Sequence, residues 1–259
     1  KLFADHLKYT DASSTVKEIL GPNDTARLRQ IETSNERIDD LEAQGLLGHE
    51  AVNLALENAI SLRGLERNRD EVDAAFARSL RLAKKYAGDY AIRNCYYNMA
   101  WTDAWWQEDW ESFLANYRCY RNGLPEEPRY FDLERLYNLW SILFSQAKRG
   151  RIVMGDEPLE NQTEFVRKKL ESMAARTDLP NSSLSAKSTL ALMNLLIDPG
   201  NAVASLRIFR ECIRESSGKI EFSTENLIKI VTELEPALGD HEEYAQLFSE
   251  LDNTDSDKD

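Results

Sequence analysis

The residues able to do chemistry are scattered along this chain rather than gathered. His6, His49 and His241 stand far apart, and none lies beside a cysteine or serine in a nucleophile pattern. Glu242-Glu243 after His241 does not complete the His-Glu-x-x-His spacing that puts two imidazoles on one helical face for zinc. Asp39-Asp40-Leu41-Glu42 packs carboxylates into one helical turn, a density that could hold magnesium. No second acidic motif accompanies it, so the reading is a solvated helix face. No glycine-rich loop is present to cradle phosphate. Cys95, Cys119 and Cys212 are odd in number and widely spaced, against a disulfide framework or a zinc site. All three fall within apolar helical pattern and are expected as buried free thiols in a reducing, cytoplasmic compartment. No catalytic residue, cofactor or metal site is expected.

Groups suited to binding are better represented. The stretch from Arg93 to Tyr120 holds Tyr96, Tyr97, Trp101, Trp105, Trp106, Trp110, Phe113, Tyr117 and Tyr120, including four of the five tryptophans of the protein. Adjacent residues on a helix point about 100° apart, so Trp105 and Trp106 cannot both enter one narrow core seam. One packs, and the other is expected to offer an aromatic platform near Thr102. Tyr97-Asn98-Met99 and Tyr137-Asn138-Leu139 repeat a phrase forty residues apart. If they share a register, Asn98 and Asn138 project from equivalent places, and each amide can both donate to and accept from a peptide backbone. The alternative is that they are simply exposed or cap a nearby loop. Asn194 is a further candidate in a different register. Arg93, Arg118, Arg121 and Arg135 surround the aromatic stretch and pair either with acids of this chain or with a partner's carboxylate.

The elements that must position these residues are helical. Eleven glycines and seven prolines in 259 residues are too few for a fold rich in tight β-turns. Leu2, Phe3 and Leu7 share a face, Ser13-Ser14-Thr15 can cap Val16–Leu20, and Gly21-Pro22 ends that piece. From Asp24 to about Gln44 a polar helix carries Leu28, Ile31, Ile38 and Leu41 as a sparse stripe. It either forms a short coiled coil with Asn35 on its seam or lies across the next helices. From His49 onward helices alternate with short breaks, one of them at Gln107-Glu108-Asp109. A four-residue apolar pattern, spaced 3, 4 and 3, recurs at Val72-Ala75-Ser79-Leu82, Trp110-Phe113-Tyr117-Tyr120, Thr163-Val166-Leu170-Met173, Ala202-Ser205-Phe209-Cys212 and His241-Tyr244-Phe248-Leu251. That spacing keeps four side chains on one helical face. The entry residues are 38, 53, 39 and 39 positions apart, the mark of stacked helical hairpins with one insertion. The insertion is assigned to a long helix, Asp132 to Lys148. The loop after it, 150–158, is read as a tether or part of a binding site.

On these residues the chain resembles the tetratricopeptide-repeat family. Glu108-Asp109-Trp110 and Gly239-Asp240-His241 match the family's turn before a second helix, and Pro125 stands where the family often ends a repeat. The resemblance covers about 51–251, with a period longer than the family's usual one, and is similar to the long-helix arrays of signalling and defence proteins. It implies an all-α fold: a right-handed α-solenoid of about five hairpins over 48–252. The helical pattern at 1–47 adds extra N-terminal helices, and the polar, acidic composition of 253–259 reads as a disordered tail. The resemblance also implies a protein or peptide partner held on first helices by an asparagine ladder. The sites are then Asn98, Asn138 and Asn194 with Thr102, Trp105, Trp106, Arg93 and Arg135.

The charge of −13 argues against nucleic acid and anionic membrane as partners. No apolar run approaches the length of a membrane span. Because the chain opens on Lys1, it is expected to be a piece of a larger protein. Two rival readings accompany docking: self-association through residues 1–47, and an enzyme with an unfamiliar helical active site.

Overall fold

The computed structural model describes residues 24–216, 242–247 and 249, and among these there is no strand. The helices are α1 (Asp24–Ala43), α2 (His49–Gly64), α3 (Arg69–Tyr86), α4 (Asp89–Thr102), α5 (Trp110–Asn122), α6 (Tyr130–Lys148), α7 (Leu159–Ala174), α8 (Pro180–Ile197) and α9 (Ala202–Ser216). A π-turn, Asp103–Gln107, continues α4, and a short 3₁₀ turn, Pro199–Asn201, precedes α9. Residues 242–247 are also helical. None of the described helices is long and apolar enough to cross a membrane. The described residues fall into two compact units. One holds 24–125 and 148–152, the other 126–147 and 153 onward.

In the first unit, helix ends are set by local chemistry. Gly45, at φ +70°, closes α1: the Leu46 N–H reaches the Leu41 carbonyl and the Gly45 N–H reaches that of Glu42. This double bond pattern satisfies carbonyls that the helix leaves over, and the left-handed residue within it favours glycine. α2 ends the same way, but with Glu66 at φ +52° in the glycine position. Asn68 then caps α3 by accepting from the Glu71 N–H at 2.9 Å, while its own amide reaches the Glu71 carboxylate.

α1 packs on α2, α2 on α3, α3 on α4 and α4 on α5, and α2 also touches α4. Ile31, Ile38 and Leu41 are buried, so the stripe of α1 is spent against its neighbours. The Asn35 side-chain oxygen accepts from Asn58 and Arg78 of the same chain, both at 3.1 Å. Within this chain the helix therefore packs on α2 and reaches α3 through Arg78. Val72, Ser79 and Leu82 of α3 and Phe113, Tyr117 and Tyr120 of α5 are buried as the 3-4-3 pattern requires. Each large side chain buried this way stabilises the fold by roughly 1.5–3 kcal/mol. The break expected at Gln107-Glu108-Asp109 falls between the π-turn and α5.

In the second unit α7 and α9 both pack on α8. The pattern residues Val166, Leu170 and Met173, and Ala202, Ser205, Phe209 and Cys212, are buried. Tyr244 and Leu247 join the α8–α9 core. The inserted helix is present as α6 and starts two residues before Asp132. Leu133, Leu136, Leu139, Trp140 and Leu143 are almost wholly inaccessible. The Trp140 indole donates to Thr163 of α7 at 3.2 Å, and the Tyr130 hydroxyl lies 3.0 Å from that of Thr189 on α8.

One expectation is corrected. Cys95 and Cys212 are buried, but Cys119 is exposed. On α5 the buried stripe runs through Tyr117 and Tyr120, and Cys119 lies off that line on the outward side. The pieces expected within 1–23, the His241, Phe248 and Leu251 positions of the last pattern, and the tail at 253–259 lie outside the described residues.

Candidate functional site

Within the first unit, the C-terminal end of α4 meets the turn between α2 and α3, and a cleft of about 500 Å³ opens there. It is lined by Arg63, Glu66, Arg67, Arg69, Val72, Thr102, Trp105, Trp106 and Gln107. Its chemistry depends on how each side chain is held.

Arg63 ends α2 and is buried. Its guanidinium sits 4.6 Å from the centre of the Trp106 ring, and its Nη1 donates to the Thr102 hydroxyl at 3.3 Å. The flat cation on the indole face is electrostatically favourable, and it fixes both groups. Thr102 in turn donates to the Asn98 carbonyl at 2.7 Å. Trp105 is held differently. It continues a file of rings, Tyr97, Trp101 and Trp105, spaced four residues apart with centroids about 6 Å from one to the next. The two adjacent tryptophans therefore take different supports, one from the aromatic file and one from a cation, and both remain half-buried.

Both tryptophans belong to the π-turn. Its extra residue per turn, relative to an α-helix, re-aims the chain beyond it, and such turns recur at functional places. Here Glu108, at φ +48°, ends it, and the Asp109 N–H returns to the Asp103 carbonyl. Gln107 donates from Nε2 to Asp73 at 2.7 Å, yet its Oε1 is buried and accepts nothing among the described residues. Arg69 bridges Asp73 and Asp109, while Arg67 pairs with Glu71 at 3.0 Å. The Arg69 guanidinium is the main reason the Asp109 carboxyl is held below the usual carboxylate range. Asp109 also caps α5 through the Ser112 N–H.

Asp103 opens the turn, with its side chain buried beneath it. Burial pushes its carboxyl up to about 6, with the negative charges of Asp109 and Asp73 adding to the rise. Its hydrogen bond from Asn116, at 2.8 Å, and the charge of Arg69 oppose it.

Of the residues singled out from sequence, Thr102, Trp105 and Trp106 line this cleft together. Asn98 stands one turn away with its amide turned back on α4, donating to the Asn94 carbonyl at 2.9 Å. Arg93 donates to the Gly123 carbonyl at the far end of α5. Asn138, Asn194 and Arg135 belong to the other unit. There the Asn194 side-chain oxygen accepts from Arg167, and Arg135 stacks over Phe131 at 4.0 Å.

The arginines of the α2–α3 turn and Gln107 were not anticipated. Arg63, Arg67 and Arg69 within seven residues of an acidic chain were a readable signal, but only the fold brings that turn to the tryptophans.

No protein-family model, curated protein or solved structure matches the chain. What the protein does has to be read from its own geometry.

Proposed function

We propose that this chain is a docking or sensing module, a right-handed stack of tetratricopeptide-like hairpins that holds a peptide segment of a protein partner. In this reading it serves a larger cytoplasmic signalling or defence protein. The observation that carries it is the cleft where half-buried Trp105 and Trp106 stand beside Arg63, Arg67 and Arg69. Tryptophan and arginine in a partly enclosed pocket are the residue types that dominate binding energy at protein interfaces. Stacking is supported by α2, which touches α4 while each pairs with its own following helix. That adjacency is what successive hairpins of a solenoid would have.

The test is selection of 12-residue peptides from a displayed random library on the full-length chain. The native protein should enrich binders, and a Trp105→Ala/Trp106→Ala variant of unchanged helical circular dichroism should lose them. A native chain that enriches no peptide, or a variant that keeps every binder, would reject docking at this place.

A further inference from the structure

We propose that the cleft selects a peptide segment in which an aspartate or glutamate stands next to a large apolar residue. The inference rests on the docking reading and adds the chemistry of the ligand.

The charge on the walls supplies the first reason. Three arginines line the cleft against one carboxylate, Glu66, in a chain whose net charge is −13. Arg67 and Arg69 are engaged by Glu71, Asp73 and Asp109, but both arginines sit at the exposed rim. Exposed ion pairs are worth little, so an incoming carboxylate can take a share of either guanidinium at small cost. The same surrounding acids would repel a doubly charged phosphate. A single carboxylate is the anion that matches.

Gln107 supplies the second reason. Asp73 can only accept, so the bond between them fixes which end of the Gln107 amide is nitrogen. The remaining Oε1 is buried and has no donor among the described residues. A buried acceptor left without a donor is costly, and a small turn of the Gln107 side chain towards the cleft would let a ligand N–H remove that cost. A peptide backbone presents such an N–H beside every side chain. Thirdly, the half-exposed parts of the Trp105 and Trp106 rings give apolar surface next to the arginines. At about 500 Å³ the cleft admits a few side chains and not a whole helix.

Peptides recovered from the library on the full-length chain should be enriched in Asp or Glu adjacent to Phe, Trp, Leu or Met. The strongest binder, synthesised with a fluorescent label, is then measured by anisotropy. Replacing its acidic residue by the amide should weaken binding about two- to fivefold, the worth of a pair with a partly exposed guanidinium. The variant Gln107→Leu should weaken binding several-fold, and Arg69→Gln should weaken only peptides that carry the acid.

Binders with no acidic–apolar pairing, or whose affinity is unchanged by neutralising the acid, would overturn this inference and leave docking standing. Recovery of no binder at all would overturn both. Displacement of the labelled peptide by a nucleotide, or oligomers that vanish in Trp106→Ala by light scattering, would assign the cleft to a phosphorylated small molecule or to a second copy, and would overturn it as well.

Discussion

At Asp103 a carboxyl group is kept in a place that penalises its charge. It is 6% exposed, and its acidity is weakened until it titrates at about 6. An unfolded chain gives up this proton near 3.9, whereas the folded one holds it to about 6. Stability linked to this group is therefore complete below about pH 4 and lost as pH rises through 6. A tenfold change in proton affinity is worth about 1.4 kcal/mol, so full ionisation costs at most about 3 kcal/mol. Asp103→Asn, which keeps an oxygen for Asn116, should raise stability by about 1–2 kcal/mol at about pH 7, with the gain gone by about pH 4. Urea unfolding of both proteins at those two pH values measures it. A gap that does not change with pH would mean that the buried charge is not its cause. The π-turn that begins at this residue carries the cleft wall, which makes a destabilising acid there consistent with a site where function outweighs stability.

At the scale of the element, the ends of helices matter more than their middles. Among the described residues, the non-glycine residues in the left-handed region are Glu66 and Glu108. Glu66 lines the cleft, and Glu108 comes directly after Gln107, which lines it too. A side chain in this conformation costs roughly 1 kcal/mol relative to glycine. Glu66→Gly should therefore stabilise the chain by about 0.5–1 kcal/mol in chemical denaturation, with α2 still closed by the bonds from the N–H groups at positions 66 and 67. A loss of stability would show that the Glu66 side chain holds the turn together. The helices themselves were legible because their apolar period is strong: Phe113, Tyr117 and Tyr120 are buried where a 3-4-3 spacing puts them. The same rule explains the miss at Cys119, whose apolar character hid its off-stripe position.

For the whole molecule, each of the two units has its own core. Phe209 is fully buried in the α8–α9 core, while Ile38 and Phe76 belong to the core of the first unit. Phe209→Ala should cost about 3–5 kcal/mol. Hydrogen exchange should then quicken in α8 and α9 while α2 to α4 keep their protection. Equal loss of protection everywhere would mean that the two units unfold as one. Arginines are gathered at the cleft of the first unit in a protein of charge −13, and two of them, Arg67 and Arg69, are paired with acids of the same chain.

Residue order alone determined that the described residues are helical, the span of α1 and, within two residues, of α6, the break before α5, and which faces of α3, α5, α7 and α9 are buried, because period and capping are local properties read over a few turns. It also marked Trp105 and Trp106 as two side chains that one core seam cannot hold. Tertiary structure decided what stands beside them. Arg63 and Thr102 are thirty-nine residues apart yet 3.3 Å from each other, and Gln107 reaches back to Asp73. Such pairings depend on how helices distant in the chain settle against one another, through side-chain shape and the extra residue of a π-turn, and no spacing rule along the chain encodes that.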